Sequence, residues 1–324
     1  KAAATGKRVG IIGGGPGGLT AAYYLSLKGH RVTIVDAMPQ MGGMLRYGIP
    51  EYRLPKKVLD EEIAEIASLG VEMKNNFRIG VDATFEEFKS RYDAVVVAIG
   101  AWSSMPIGCP GEDLDGVLGG IDFLQRVALG ERPDIGDKVA IVGGGNTAMD
   151  AARVAKRGGA ASVTLVYRRT RRFMPADAQE LELAMQDGVD FLELAAPVKQ
   201  ENGVLTCEKM RLGEPDASGR RSPVPTGETV ELPCDLVISA VGEQVEEQVF
   251  TDNGITLSAK GRPAFCTNVP GVYAAGDALR GPATVVEGIA DAARFAEAVG
   301  DGVIRFRIRC ASGACQTDGK SVPT

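Results

Sequence analysis

The sequence predicts an α/β protein with two similar parallel-sheet domains. Two observations carry this. The stretches KRVGIIGGGPGGLTAAYYLSLKGHRVTIVD (7–36) and DKVAIVGGGNTAMDAARVAKRGGAASVTLVYRR (137–169) follow one plan. Each has an apolar run of strand length, a glycine cluster, an Ala-rich helix-compatible segment, a short turn and a second apolar run. The bulk numbers agree: 324 residues, 44% hydrophobic and 24% charged, are enough for two cores of ordinary soluble composition.

The glycine clusters come first in each unit. In the first copy Gly13, Gly15 and Gly18 form G-x-G-x-x-G, with Pro16 opening the helix; in the second Gly143, Gly145 and Ala148 form G-x-G-x-x-A, with Asn146 and Thr147 between. The first glycine permits a tight turn and the second lets backbone approach a pyrophosphate. The third position stays small so that helix and strand pack. The helix N-terminus then offers free N–H groups and partial positive charge to the phosphates. Two copies in the right context predict two Rossmann-like dinucleotide-binding domains; a lone glycine-rich turn without ligand is the alternative.

The second strands tell the copies apart. The first ends VTIVD, and Asp36 stands where a carboxylate accepts from an adenosine ribose, which suits FAD or NAD. The second ends VTLVYRR, with Arg168 and Arg169 and no acid. Arginine forks bind phosphate bidentately, so these two are expected on the 2′-phosphate of NADP(H). A solvated basic turn or a subunit contact is the alternative, and Arg171 and Arg172 either join them on the cofactor or do not touch it.

Other features exclude functions. A formal net charge of −6 argues against a general nucleic-acid binder. No apolar run approaches the roughly 20 residues of a membrane helix, and no signal peptide precedes the first strand, so a cytoplasmic protein is expected. The six cysteines are scattered without a C-x-x-C, as in a reducing compartment. Cys310 and Cys315 are spaced C-x4-C, but two thiolates do not close a metal site, and no metal is expected. His30, the only histidine, is read as structural or exposed.

Further motifs carry a resemblance: GGMLRYGIPEYRLPKKVLDEEI (42–63), YDAVVVAIGAW (92–102), GGGNTAMDAAR (143–153), VYRRTRRFMPA (166–176), LGEPDASGRRSPVP (212–225) and GVYAAGDALRGPATVVEGIADAARFA (271–296). The chain resembles, over roughly residues 5–300, the FAD- and NADPH-binding small subunit of bacterial glutamate synthase. The matching part of dihydropyrimidine dehydrogenase and the large subunit of ferredoxin-dependent transhydrogenases are related to it. The resemblance implies an NADPH domain inserted in a discontinuous FAD domain, with boundaries expected at 1–128 and 253–305 for FAD, 129–252 for NADPH and 306–324 as a tail. The segment 119–130 then reads as the helix leading out of the FAD domain, and 237–243 as the return strand of the inserted one.

The same resemblance assigns residues. Gly13, Gly15, Gly18 and Asp36 would hold the ADP part of FAD. Gly43, Leu45 and Arg46 would lie near the flavin side of the pyrophosphate. Asp277, after Gly276, would bind the ribityl chain; an N-cap is the alternative and is compatible with that role. Thr284 and Val285 would sit at the pyrimidine edge. Gly100 is read as a close approach to the FAD adenosine. The family usually carries an N-terminal cysteine-rich domain with iron–sulfur clusters, which this sequence lacks. The chain is therefore expected to be a piece of something longer, with an iron–sulfur domain or partner subunit as electron acceptor.

The expected function is an NADPH-oxidising flavoprotein module that passes electrons onward through FAD, with no catalytic side chain of its own. A reductase of a disulfide or soluble small molecule is the alternative; it would want a cysteine pair near the flavin, and residues 37–50 hold none. A scaffold that binds nucleotides without turnover is the third.

Overall fold

The fold is described from a computed structural model, for residues 1–300 except Ser218. The chain forms two compact units. The first takes Lys1–Arg46, Leu54–Ala101 and the chain from Val245; the second takes Tyr47–Arg53 and Trp102–Gln244.

The first unit begins with β1 (Arg8–Ile12), α1 (Pro16–Leu27) and β2 (Arg31–Val35). Next come α2 (Met44–Tyr47), whose last residue belongs to the second unit, then α3 (Lys56–Ser68), β3 (Glu72–Lys74), α4 (Phe85–Ser90) and β4 (Ala94–Val97). The second unit runs through β5 (Ser103–Ser104), β6 (Val117–Gly119), α5 (Gly120–Ala128), β7 (Lys138–Val142), α6 (Asn146–Arg157) and β8 (Ser162–Tyr167). It continues with α7 (Ala178–Gln186), β9 (Asp190–Glu193), β10 (Ala195–Glu201), β11 (Val204–Pro215), β12 (Arg221–Pro233), β13 (Leu236–Ser239) and β14 (Glu243–Gln244). The chain then completes the first unit with α8 (Glu247–Thr251), β15 (Val272–Ala274), α9 (Asp277–Arg280) and α10 (Val285–Gly300).

Each unit centres on a five-stranded parallel sheet, ordered β15-β4-β1-β2-β3 in the first and β6-β13-β7-β8-β9 in the second. The duplicated sequence thus becomes a duplicated topology, with β1 and β7 at equivalent central places. Both strands show one exposed residue followed by four buried ones, as expected of strands covered on both faces. In the first unit α1 packs on α10 and α3, over a core of Val9, Ile11, Leu25, Ile34 and Val96. In the second, α6 packs on α5 and α7, over Phe123, Ile141, Met149, Leu165 and Ile238.

The unit boundaries fall at Ala101/Trp102 and Gln244/Val245, not at 128/129 and 252/253. Val117–Gly119 pairs in parallel with Val237–Ser239, so β6 is the outermost strand of the second sheet. The helix expected to lead out of the first domain, α5, therefore belongs to the second. At the other crossing, Val245 and Phe250 are buried in the first unit's core. The two residues of β5 pair antiparallel with the two of β14. A three-stranded antiparallel sheet, β10-β11-β12, completes the second unit.

Candidate functional site

The turn after β1 is built by backbone. Gly13 has φ +107, and a Cβ there would strike the Ala98 carbonyl, so no other residue fits. Its N–H donates to Val35 O at 2.8 Å. Gly15 is the N-cap of α1, without a side-chain cap, and Pro16 follows at the first helical position, where its missing N–H costs nothing. Gly43 lies across from Gly15: a Cβ on Gly43 would be 2.6 Å from Gly15 Cα. Gly17 faces Gly276 in the same way, at 3.4 Å. Gly18 is buried so tightly that a Cβ would strike the Gly13 carbonyl. The mouth of α1 is thus lined by peptide groups and glycine Cα atoms, and a pyrophosphate fits such a lining.

Asp36 is 9% exposed at the end of β2. Its Oδ2 accepts from Gly14 N–H at 2.6 Å and its Oδ1 from Met38 N–H at 2.7 Å. Burial pushes the carboxyl up, against these two bonds and nearby Arg78, which pull it down. Each oxygen keeps a lone pair for a ribose hydroxyl. Leu45 is half-buried. Arg46 is buried, and its guanidinium already serves the fold: Nε donates to Met41 O at 2.6 Å and Nη2 pairs with Asp60. Gly100 adopts φ +75 just past β4. Gly276 adopts φ +63, and Asp277 opens α9, whose end returns Gly281 N–H to Asp277 O at 2.8 Å. Thr284 caps α10: its hydroxyl donates to Glu287 Oε2 at 2.7 Å and accepts from Glu287 N–H at 3.4 Å, ahead of half-buried Val285. That box places a carboxylate at the positive end of α10.

The turn after β7 repeats the first. Gly143 has φ +149, its N–H donates to Val166 O at 3.0 Å, and a Cβ would strike the Ala240 carbonyl. Ala148 is fully buried where Gly18 stands in the first copy. Around Gly145 the copies part: a Cβ there would meet nothing within 4 Å. The side chains of the first helical turn are already engaged. Asn146 Oδ1 accepts from Asp177 N–H at 3.2 Å, and the Thr147 hydroxyl donates to Glu243 Oε1 at 2.6 Å.

The arginines follow β8 directly. Arg168 is exposed, and Arg169 is half-buried with its Nε buried and without a hydrogen-bond partner among the described residues. A buried unpaired guanidinium nitrogen is costly, and a phosphate oxygen would satisfy it. The loop beyond is tied down: the Tyr167 hydroxyl donates to Phe173 O at 2.7 Å, and Ala176 N–H donates to Gly144 O at 3.0 Å. Arg171 lies with its guanidinium 5.8 Å from the Phe191 ring centre, and its N–H donates to Glu193 at 3.0 Å; Arg172 lies 5.9 Å over Phe173.

The sequence reading missed two groups. Glu243 sat inside a segment read only as a return strand; a carboxylate just past a strand beside the glycine turn was the signal. The other is an ion-pair network on the flank of α6. Arg53 Nη1 reaches both oxygens of buried Asp150, at 2.8 and 2.6 Å, and its Nε lies 3.1 Å from Glu180. Arg153 joins Glu180 and Asp187, and the Tyr52 ring lies under Arg153 and Arg157. Burial pushes Asp150 up to about 6 although Arg53 pulls it down.

His30 is buried, with Nδ1 2.8 Å from the Thr5 hydroxyl, a structural place. Cys109, Cys207 and Cys234 are buried and Cys266 half-buried, and no disulfide joins any two of them. Burial pushes Cys207 up to about 12. Cys310 and Cys315 lie outside the described residues. Among the described residues no cluster of His, Cys, Asp or Glu could hold a metal ion, and no helix is long and apolar enough to cross a membrane.

Two glycine turns of this kind, one followed by an acid and one by arginines, are those of a dinucleotide-binding fold present twice. The chain belongs to the pyridine nucleotide-disulphide oxidoreductase family, whose pattern matches residues 7–292, and it is an oxidoreductase of the FAD- and NADPH-dependent kind. It is 45% identical over 312 residues to the NADP(+)-dependent formate dehydrogenase subunit beta of Moorella thermoacetica, covering 92% of this chain and 44% of that one. It is 37% identical over 316 residues to a putative glutamate synthase [NADPH] small chain of Cereibacter sphaeroides, covering 90% of this chain and 76% of that one. Its fold is similar to that of Mycobacterium tuberculosis FprA in complex with NADPH, with TM-score 0.80 at 23% identity, over 98% of this chain and 87% of that one. The chain spans less than half the length of the formate dehydrogenase subunit.

Proposed function

We propose that this chain is the electron-input module of a larger oxidoreductase: it takes reducing equivalents from NADPH on the second unit and delivers them, through FAD on the first, to an acceptor on another domain or subunit. The observation that carries this is the contrast at equivalent strand ends. Asp36 closes the first turn and suits a ribose with free hydroxyls, whereas Arg168 and the unpaired Nε of Arg169 close the second and suit a 2′-phosphate.

In the first unit, the N–H groups of Gly15 and Gly17 at the mouth of α1 and the glycine-lined opening at Gly43 and Gly276 bind the FAD pyrophosphate, Asp36 takes the adenosine ribose, and Gly100 lets the chain pass the adenosine. Asp277 accepts from the ribityl chain, and Thr284 and Val285 border the ring. In the second unit, the N–H groups of Asn146 and Thr147 bind the NADPH pyrophosphate above Gly143 and Gly145, and Arg168 and Arg169 grip the 2′-phosphate. When bound there, FAD would supply the redox chemistry between a hydride donor and a one-electron acceptor. The chain supplies binding and alignment, which is where proximity gains arise.

The acceptor is read as an iron–sulfur centre. The relatives' names, which describe a beta subunit and a small chain, support only the partner subunit; the iron–sulfur centre follows from the resemblance to the glutamate synthase small subunit. A disulfide acceptor would need a reactive cysteine pair, and the segment 37–50 has no cysteine.

The test is anaerobic. The purified protein should release FAD on heating, its flavin should bleach with NADPH, and ferricyanide should restore the colour. Treatment with a thiol-alkylating reagent should leave this cycle intact while FAD is retained. FMN in place of FAD, or a cycle abolished by alkylation, would reject the reading. No bleaching by NADPH would turn the chain into a nucleotide-binding scaffold.

A further inference from the structure

Glu243 stands at the end of the second sheet's crevice opposite to the arginines. The strand order there is β13-β7-β8, with β7 at the switch point where a dinucleotide lies across the carboxyl ends of the strands. Arg168 and Arg169 follow β8 and the glycine turn follows β7. A nucleotide with its 2′-phosphate on the arginines and its pyrophosphate on the glycine turn continues in the same direction. One strand spacing further, about 5 Å, brings its nicotinamide half over the end of β13. The chain there reads Ala240, Val241, Gly242, Glu243.

The Glu243 carboxylate is fixed in place. The Thr147 hydroxyl holds its Oε1 at 2.6 Å, and the residue pairs with Ser104 in the β5–β14 ribbon. It is half-buried. None of the ion pairs among the described residues includes it. A negative charge at a site meant for a polyanion works against binding unless it meets a positive group on the ligand. Oxidised nicotinamide carries one positive charge and the dihydro ring carries none.

We propose that Glu243 sets the redox-state preference of the nucleotide site: its carboxylate favours the cationic ring of NADP+ over the neutral ring of NADPH. Thr147 is the positioning residue that keeps the carboxylate in the crevice. Stabilising the oxidised nucleotide makes bound NADPH a stronger reductant, so the same residue pushes electrons out of the nucleotide. The inference rests on the assignment of NADPH to the second unit.

The experiment is calorimetric titration of the oxidised FAD-loaded protein, which reads binding without turnover. Three probes separate the contributions: NADP+; 1,4,5,6-tetrahydro-NADP, whose ring is neutral and redox-inert; and 2′,5′-ADP, which has no nicotinamide. Glu243→Gln should lower the affinity for NADP+ relative to the tetrahydro analogue by roughly tenfold, the size of one charge–charge term of ~1.4 kcal/mol in a partly exposed site. Binding of 2′,5′-ADP should stay unchanged. Thr147→Val should shift the ratio the same way by less, because it frees the carboxylate without removing it; this variant carries the test if Glu243→Gln fails to retain FAD. An unchanged ratio in the variant that retains FAD would overturn the proposal, as would a change in 2′,5′-ADP affinity as large as that in NADP+. Failure of the unaltered protein to bind either NADP+ or 2′,5′-ADP would instead reject NADPH in the second unit.

Discussion

The two glycine turns share a skeleton and differ in what closes them. In each, the first glycine donates to the end of the next strand and lies under the carbonyl of the residue just past the strand on its other side, Ala98 or Ala240. In each, a returning segment donates to the middle glycine's carbonyl: Gly42 to Gly14 at 2.8 Å, Ala176 to Gly144 at 3.0 Å. Beyond that the first turn is shut in by backbone, with Gly43 against Gly15 and Gly276 against Gly17, whereas the second is open at Gly145. A turn enclosed by peptide groups suits a cofactor that stays; an open one rimmed by charged side chains suits a nucleotide that exchanges.

The sharpest break of that comparison is a methyl group in each turn. Gly43→Ala adds a Cβ at φ +52, 2.6 Å from the Gly15 Cα. Strain of about 1–3 kcal/mol and a blocked mouth should leave the variant largely without flavin, read from the ratio of flavin to protein absorbance. Gly145→Ala meets no protein atom within 4 Å, so flavin content and thermal stability should hold while NADP+ binding weakens. Flavin loss in Gly145→Ala, or a fully loaded Gly43→Ala, would undo the distinction.

The helices behind the turns differ as well. By the motif alignment, Asp150 in α6 stands where α1 has Thr20. Burial raises Asp150 from 3.8 to about 6, so the folded protein holds this proton more tightly than the unfolded chain. The group's stabilising contribution is therefore complete below about pH 4 and lost as the pH rises through about 6. Unfolding of the protein and of Asp150→Asn should be compared across that window. The stability of the unaltered protein relative to the variant should fall by on the order of 2 kcal/mol from pH 4 to pH 7. A difference that rises with pH would mean that the Arg53 pair outweighs burial.

Much of this organisation was legible in the sequence. Apolar runs of five residues, two glycine clusters and the contrast of Asp36 with Arg168 and Arg169 are local signals: the runs form β1, β2 and β7, the clusters form the turns before α1 and α6, and the three charged residues directly follow β2 and β8. The boundaries were not. Val117–Gly119 is a three-residue strand with no pattern of its own, defined only by its partner 120 positions later in Val237. Tyr47–Arg53 joins the second unit through Arg53 and Asp150, 97 residues apart. Arg46 looked available for a cofactor because its partners, Met41 O and Asp60, are set by the turn between α2 and α3. Contacts of that kind come from packing and leave no periodicity to read.

A smaller effect separates cysteines by place. Cys207 is fully buried with its thiol pushed up to about 12, so it should resist iodoacetamide in the folded protein at pH 8, while half-buried Cys266 reacts sooner. Peptide mapping of the alkylated protein checks the order; Cys207 labelled first would show that the second unit opens readily.

The central claim is that the acid and the arginines assign the two turns to different nucleotides. Anaerobic flavin reduction by NADPH and by NADH tests it directly on Arg168→Ala and Arg169→Ala. Each charge-assisted bond contributes about 1.5–3 kcal/mol, so each variant should lose roughly 10- to 100-fold in NADPH affinity. The response to NADH and the flavin content should stay as in the unaltered protein. Equal losses with NADPH and NADH, or flavin released along with the arginine, would contradict the account.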